Sequence, residues 1–114
     1  MLTKAVQLDP FVASGKYYYD LGISQIYRQE LVNGIKNLKE ALKIDPNLAG
    51  DFSKMVGIDK TIEIASMIKM DIDRIKNNVE KERLLLRLPL LYTNIGAKEE
   101  REKLYLFMET NYPN

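Results

Sequence analysis

Cysteine and histidine are both missing from this 114-residue chain. Without cysteine there are no disulfides, no thiolate nucleophile and no Cys-based metal site, and the redox compartment is left open. Without histidine the chain lacks the commonest general base and the commonest transition-metal ligand. Catalysis would have to run on carboxylates, lysine, tyrosine or hydroxyls. Glycine-rich phosphate loops are missing too: the glycines at 15, 22, 34, 50, 57 and 96 are isolated, and none stands in GxGxxG or in GxxxxGK followed by Ser or Thr. No uncharged apolar run approaches the about 20 residues of a membrane span. Residues 1–4 lack the apolar core of a signal peptide.

What remains is a globular composition, 46% hydrophobic and 29% charged, at a length that suits one domain. The net charge of +1 favours no polyanion partner by itself. Lys and Arg are scattered and interleaved with acids, which argues against a nucleic-acid surface. A basic stripe over Arg74, Lys76, Lys81, Arg83 and Arg87 would be largely cancelled by Asp71, Asp73, Glu80 and Glu82.

Carboxylate clusters are the one catalytic or metal-binding motif available. Asp71 and Asp73, two residues apart, point to different sides of a helix. Glu99, Glu100 and Glu102 sit at a helix start, where the dipole favours negative charge. Residues 59–73 lack calcium-loop spacing. Solvated surface explains both groups, so no catalytic residue, metal or cofactor is expected.

Apolar spacing reads as helix throughout. Residues 16–28 place Tyr17, Leu21 and Ser24 on one face, beside Tyr18, Gly22 and Ile26. Residues 30–44 carry Leu31, Ile35, Leu38 and Leu42 at helical spacing. Asn47 is expected to cap a short helix over 48–56 that Gly57 ends, and Asp59 to cap the next. That helix would bury Ile64, Ile68, Ile72, Ile75 and Val79. The last, about 97–110, would turn Leu104, Phe107 and Met108 inward. Pro89 is discordant within an expected helix of about 79–95. Either that helix kinks there or Pro89 opens a separate one. A third boundary makes 59–87 one long helix through Asn77 and Asn78.

The most informative stretch is Tyr18-x2-Leu21-Gly22 followed by Leu38-x2-Ala41-x4-Pro46. It resembles a tetratricopeptide (TPR) repeat, a helical hairpin of about 34 residues. Two echoes follow the same phase. Residues 5–10 (AVQLDP) match residues 41–46 (ALKIDP), with a two-residue insertion expected around Ser14 and Gly15. Placing Pro113 at the closing position puts Leu85, Leu88, Tyr92, Gly96 and Tyr105 on apolar, aromatic and turn positions. The resemblance implies an all-α solenoid of about three repeats. It divides the chain into a half-repeat at 1–12, a repeat at 15–47, a degenerate repeat at 48–81 and a repeat at 82–114. Residues 1–12 look like the tail of a repeat begun elsewhere, so the chain is expected to be a fragment. A targeting segment could then have been lost with the rest; the default compartment is the cytoplasm, with export left open.

In TPR proteins the first helix of each repeat lines a ligand groove. The resemblance therefore implies a groove of Lys16, Tyr19, Ile23 and Tyr27, then Lys54, then Arg83, Leu86, Arg87, Leu90 and Asn94, with Asp20 as its one acid. Some such proteins clamp a peptide carboxylate with Lys and Asn early and Lys and Arg late. Arg83 and Arg87 stand at the late pair, but Tyr19 and Ile23 occupy the early positions. Tyr18 is expected in the core, leaving Tyr17 or Tyr19 exposed, Tyr19 being a recognition candidate. The function implied is binding of a protein or peptide with an anionic segment, not catalysis and not membrane insertion. The alternative is an assembly subunit that self-associates through a solenoid end bearing Val6 and Phe11.

Overall fold

The computed structural model describes residues 10–111, with side chains from residue 14 onward. The echo at residues 5–9, the closing Pro113 and the end face of Val6 and Phe11 lie outside that description. Among the described residues the chain is all-helical, without strands. Its helices are α1 (Pro10–Tyr27), α2 (Leu31–Ile44), α3 (Ala49–Val56), α4 (Ile58–Asp73), α5 (Asn78–Asn94) and α6 (Lys98–Asn111), with a 3-10 turn at Pro46–Leu48 before α3. The chain forms two compact units divided between Leu48 and Ala49.

In the first unit α1 and α2 form a hairpin. Helix α1 starts at Pro10, where a missing N–H costs nothing, and runs unbroken through Ser14 and Gly15. The expected insertion therefore causes no break. Two buried glycines set the helix separation. A Cβ on Gly22 would lie 2.9 Å from the Gly34 carbonyl oxygen and 2.8 Å from Leu38 Cγ. One on Gly34 would lie 3.0 Å from the Gly22 carbonyl oxygen. The two backbones thus meet directly, and Leu38, Ala41 and Leu42 fill the seam. Asn37 Nδ2 donates to Gln25 Oε1 at 2.6 Å across it. Leu31, at the helix start, is exposed.

The second unit contains α3 to α6. Asp45, not Asn47, organises the approach to α3: its Oδ1 accepts the Asn47 N–H at 3.1 Å, so Asn47 lies inside the 3-10 turn. Helix α3 buries Ala49 and Phe52 and ends at Gly57, whose φ of +95° suits only glycine. Gly57, not Asp59, is also the cap of α4, and Thr61 Oγ1 donates to its carbonyl at 2.8 Å. Helix α4 buries Ile64, Ile68 and Ile72 but stops at Asp73. Ile75 is therefore only half-buried in the link, and Val79 is exposed on the next helix. The Asn77 side chain accepts the Val79 and Glu80 N–H groups at 3.0 and 3.2 Å. That cap starts α5 and excludes a single helix over 59–87. Pro89 then sits inside α5, buried, and forfeits the bond to the Leu85 carbonyl.

One local structure recurs between the two units. Helix α1 ends with Gln29 at φ +65°, bonded to the Ile26 carbonyl, while Glu30 N–H reaches back to Gln25 O at 2.8 Å. Helix α5 ends with Gly96 at φ +73°, bonded to the Thr93 carbonyl, while Ala97 N–H reaches back to Tyr92 O at 2.8 Å. Both are Schellman caps closing a three-residue link. Their separation of 67 residues equals that between Pro46 and Pro113.

Two expectations test this packing by urea unfolding. Gly22→Val should destabilise by about 2 kcal/mol through overpacking, whereas Gly50→Ala, with nothing within 4 Å, should be neutral or slightly stabilising. Gln29→Gly should stabilise by about 1 kcal/mol by relieving left-handed strain, and Gly96→Gln should destabilise by about as much.

Candidate functional site

Residues 84–91 contain six leucines, one arginine and one proline, so the middle of α5 carries leucine on its outer face as well as its inner one. Leu85, Leu88, Pro89, Leu91 and Tyr92 are buried. Leu86 and Leu90 face away, 58% and 54% exposed, and Val79 is 79% exposed. The outer face therefore mixes these leucines with the polar side chains of Arg83, Arg87 and Asn94.

Arg83, Leu86, Arg87, Leu90 and Asn94 share that outer face, as the spacing predicts. Arg83, Asn94 and both leucines are exposed and Arg87 is half-buried. Arg83, Arg87 and Asn94 each already have an interaction partner within the protein. The end of α5 is pinned from α6. Arg101 Nη1 donates to Thr93 Oγ1 at 2.9 Å, and the Thr93 hydroxyl donates to the Pro89 carbonyl at 2.8 Å. Lys54 is exposed on α3 of the same unit.

In the first unit Lys16, Tyr19, Ile23 and Tyr27 form a stripe along α1. Tyr27 is 77% exposed, while Tyr19 and Ile23 are half-buried. Lys16 Nζ pairs with Asp20 Oδ1 at 3.0 Å and lies 5.8 Å from the Tyr19 ring centroid. Asp20 thus neutralises the one cation of this stripe, and the basic character of the candidate residues resides in Lys54, Arg83 and Arg87. The tyrosine run also departs from expectation. Tyr18 is half-buried rather than core, and Tyr17 is the exposed member at 63%, its ring edge-on to Tyr18 at 5.5 Å. Tyr105, on a packing position of the repeat phase, is likewise half-exposed.

Sequence reasoning missed an open cleft of ≈ 360 Å³ between α4, α5 and α6, lined by Ser66, Lys69, Met70, Asp73, Tyr92, Glu100, Lys103 and Leu104. Three helices contribute to it, so no local motif announces it. Lys69 Nζ caps its edge, 4.1 Å from the Phe107 ring centroid. Burial pushes the Tyr92 phenol above its ordinary range; a Ser66 hydrogen bond opposes this and the Glu100 charge adds to it. No group of three or more Asp or Glu side chains among the described residues is placed to hold a metal ion. None of the described helices is long and apolar enough to cross a membrane.

No known family, curated protein or solved structure matches the chain.

Tyr92 makes one pH prediction. Its phenol is raised in the folded chain, so the unfolded chain loses that proton first as pH rises. The stabilising difference is complete below about pH 10, the unfolded phenol value, and is lost as pH climbs through the folded value. Urea unfolding at pH 9 and pH 11 should show a larger stability loss for the parent than for Tyr92→Phe.

Proposed function

We propose that this chain is a TPR-like helical-repeat scaffold that binds a protein or peptide and performs no catalysis. Each unit offers its own contact residues: Lys16, Tyr19, Ile23 and Tyr27 on α1 in the first, and Lys54 on α3 with the Arg83 to Asn94 stripe on α5 in the second. Apolar contact comes chiefly from Leu86 and Leu90, and anionic register from Lys54, Arg83 and Arg87.

The observation that carries the reading is the uncovered leucine face of α5, because large apolar side chains left together on a helix mark an interaction surface. The hairpin geometry supports the repeat assignment. In the resembled repeat a small residue stands four positions before the large apolar one. Gly34 stands four before Leu38 and takes the backbone contact with Gly22. The Schellman caps recurring at 67 residues, about two periods, support it further. The middle pair departs most: α3 has 8 residues where α1 and α5 have 18 and 17, and a single Gly57 links it to α4.

Arg83→Glu combined with Arg87→Glu should weaken binding of an acidic peptide by about tenfold or more, measured by fluorescence anisotropy. Far-UV circular dichroism should be unchanged. Unaltered affinity in a folded double variant would remove these residues from the binding surface.

A further inference from the structure

The cleft beside Tyr92 carries charges that the protein itself leaves unanswered. Its lining includes two lysines, Lys69 and Lys103, and two carboxylates, Asp73 and Glu100. Lys69 and Asp73 stand four residues apart on α4, and Glu100 and Lys103 three apart on α6. Opposite charges at these spacings commonly pair. Here neither pair forms. Lys69 lies over the Phe107 ring instead. Among the described residues, the side chains of Asp73, Glu100 and Lys103 enter no ion pair or hydrogen bond. Leu104 and Tyr92, both buried, and the exposed Met70 add apolar surface to the same cleft.

Such a lining selects by charge. An anion would face Asp73 and Glu100, and a cation would face Lys69 and Lys103, whereas a molecule with one charge of each sign answers both sets. The volume of ≈ 360 Å³ is at the small end of ligand sites, about 300–1,000 Å³. Glu100 and Lys103 are neighbours on one helix surface, about 5–6 Å apart at Cβ, which suits an ammonium and a carboxylate borne by the same carbon. Burial raises the Tyr92 phenol above its ordinary range, so it stays a hydroxyl that can donate. We propose that this cleft binds a free amino acid with an apolar side chain. Lys103 and the Tyr92 hydroxyl take its carboxylate, Glu100 takes its ammonium, and Met70 and Leu104 meet its side chain. None of these residues belongs to the outer face of α5, so the site is independent of the binding surface proposed above.

Isothermal titration calorimetry of the full chain with L-leucine and L-methionine tests the site. Saturable binding of one or both is expected. Removing the ammonium charge (N-acetyl-L-leucine), the carboxylate charge (L-leucinamide) or the side chain (glycine) should each weaken it at least tenfold. Lys103→Ala and Glu100→Gln should weaken leucine binding by as much with far-UV circular dichroism unchanged, while Lys60→Ala, exposed on α4 outside the cleft, should leave it intact. No binding of leucine or methionine at millimolar concentration would overturn the site. Leucinamide bound as tightly as leucine would show recognition of an amine, as at a peptide N-terminus, and would overturn the free amino acid. N-acetyl-leucine bound as tightly would overturn it in favour of a simple carboxylate. Leucine binding indifferent to both Lys103→Ala and Glu100→Gln in folded variants would overturn the placement in this cleft.

Discussion

Helix α5 has more apolar surface than its own unit covers, and the account of function depends on that excess. It touches α3, α4 and α6, so its inner side chains anchor the second unit. Yet the leucines at 86 and 90 stay more than half exposed. Leaving a leucine exposed forgoes roughly 1.5–3 kcal/mol that burial would supply. Helix α2 also exposes apolar side chains, Leu31 and Val32, beside the polar Asn33 and Lys36.

What makes α5 available is the way its ends are fixed. The Asn77 cap starts it, the left-handed Gly96 ends it, and the Arg101–Thr93–Pro89 chain of hydrogen bonds steadies its last turn. Proline in a helix interior normally costs about 3 kcal/mol; here the Leu85 carbonyl loses its N–H partner, while the ring is buried in the unit's core. The first unit reaches the same helix–turn–helix closure by a different packing route. There the helices approach until a Cβ on either Gly22 or Gly34 would crowd the other's carbonyl oxygen. At the corresponding offset in the second unit stand Pro89 and Arg101, which are too large for that approach. The turn geometry recurs while the seam does not.

Much of the fold was legible from side-chain spacing alone. The all-helical class, the α1–α2 hairpin, and the buried Ile64, Ile68 and Ile72 of α4 and Leu104 of α6 follow from apolar periodicity; Ile75, Phe107 and Met108 are only half-buried and Val79 is exposed. Residues whose role depends on backbone geometry were harder to read. Gln29 adopts a conformation that its side chain disfavours, so nothing in its identity marks the turn. Gly34 looks like an ordinary interruption of a helix until the opposite backbone is seen. Asp45 and Asn47 are both competent caps, and only the path of the chain decides between them. Pro89 allowed three helix boundaries, and the choice fell to the Asn77 cap twelve residues earlier. The candidate site divides similarly. The stripe on α5 was legible because one helix supplies all of it, while the cleft beside Tyr92 draws on three helices and leaves no linear trace.

The most direct test uses the absence of cysteine, since a single introduced thiol can be labelled uniquely. Val79→Cys and Val32→Cys place an environment-sensitive fluorophore on α5 and on α2, both strongly exposed positions. A peptide with an anionic segment should give a saturable blue shift from the label at 79 and none from the label at 32. A saturable shift at 32 with none at 79 would contradict the account.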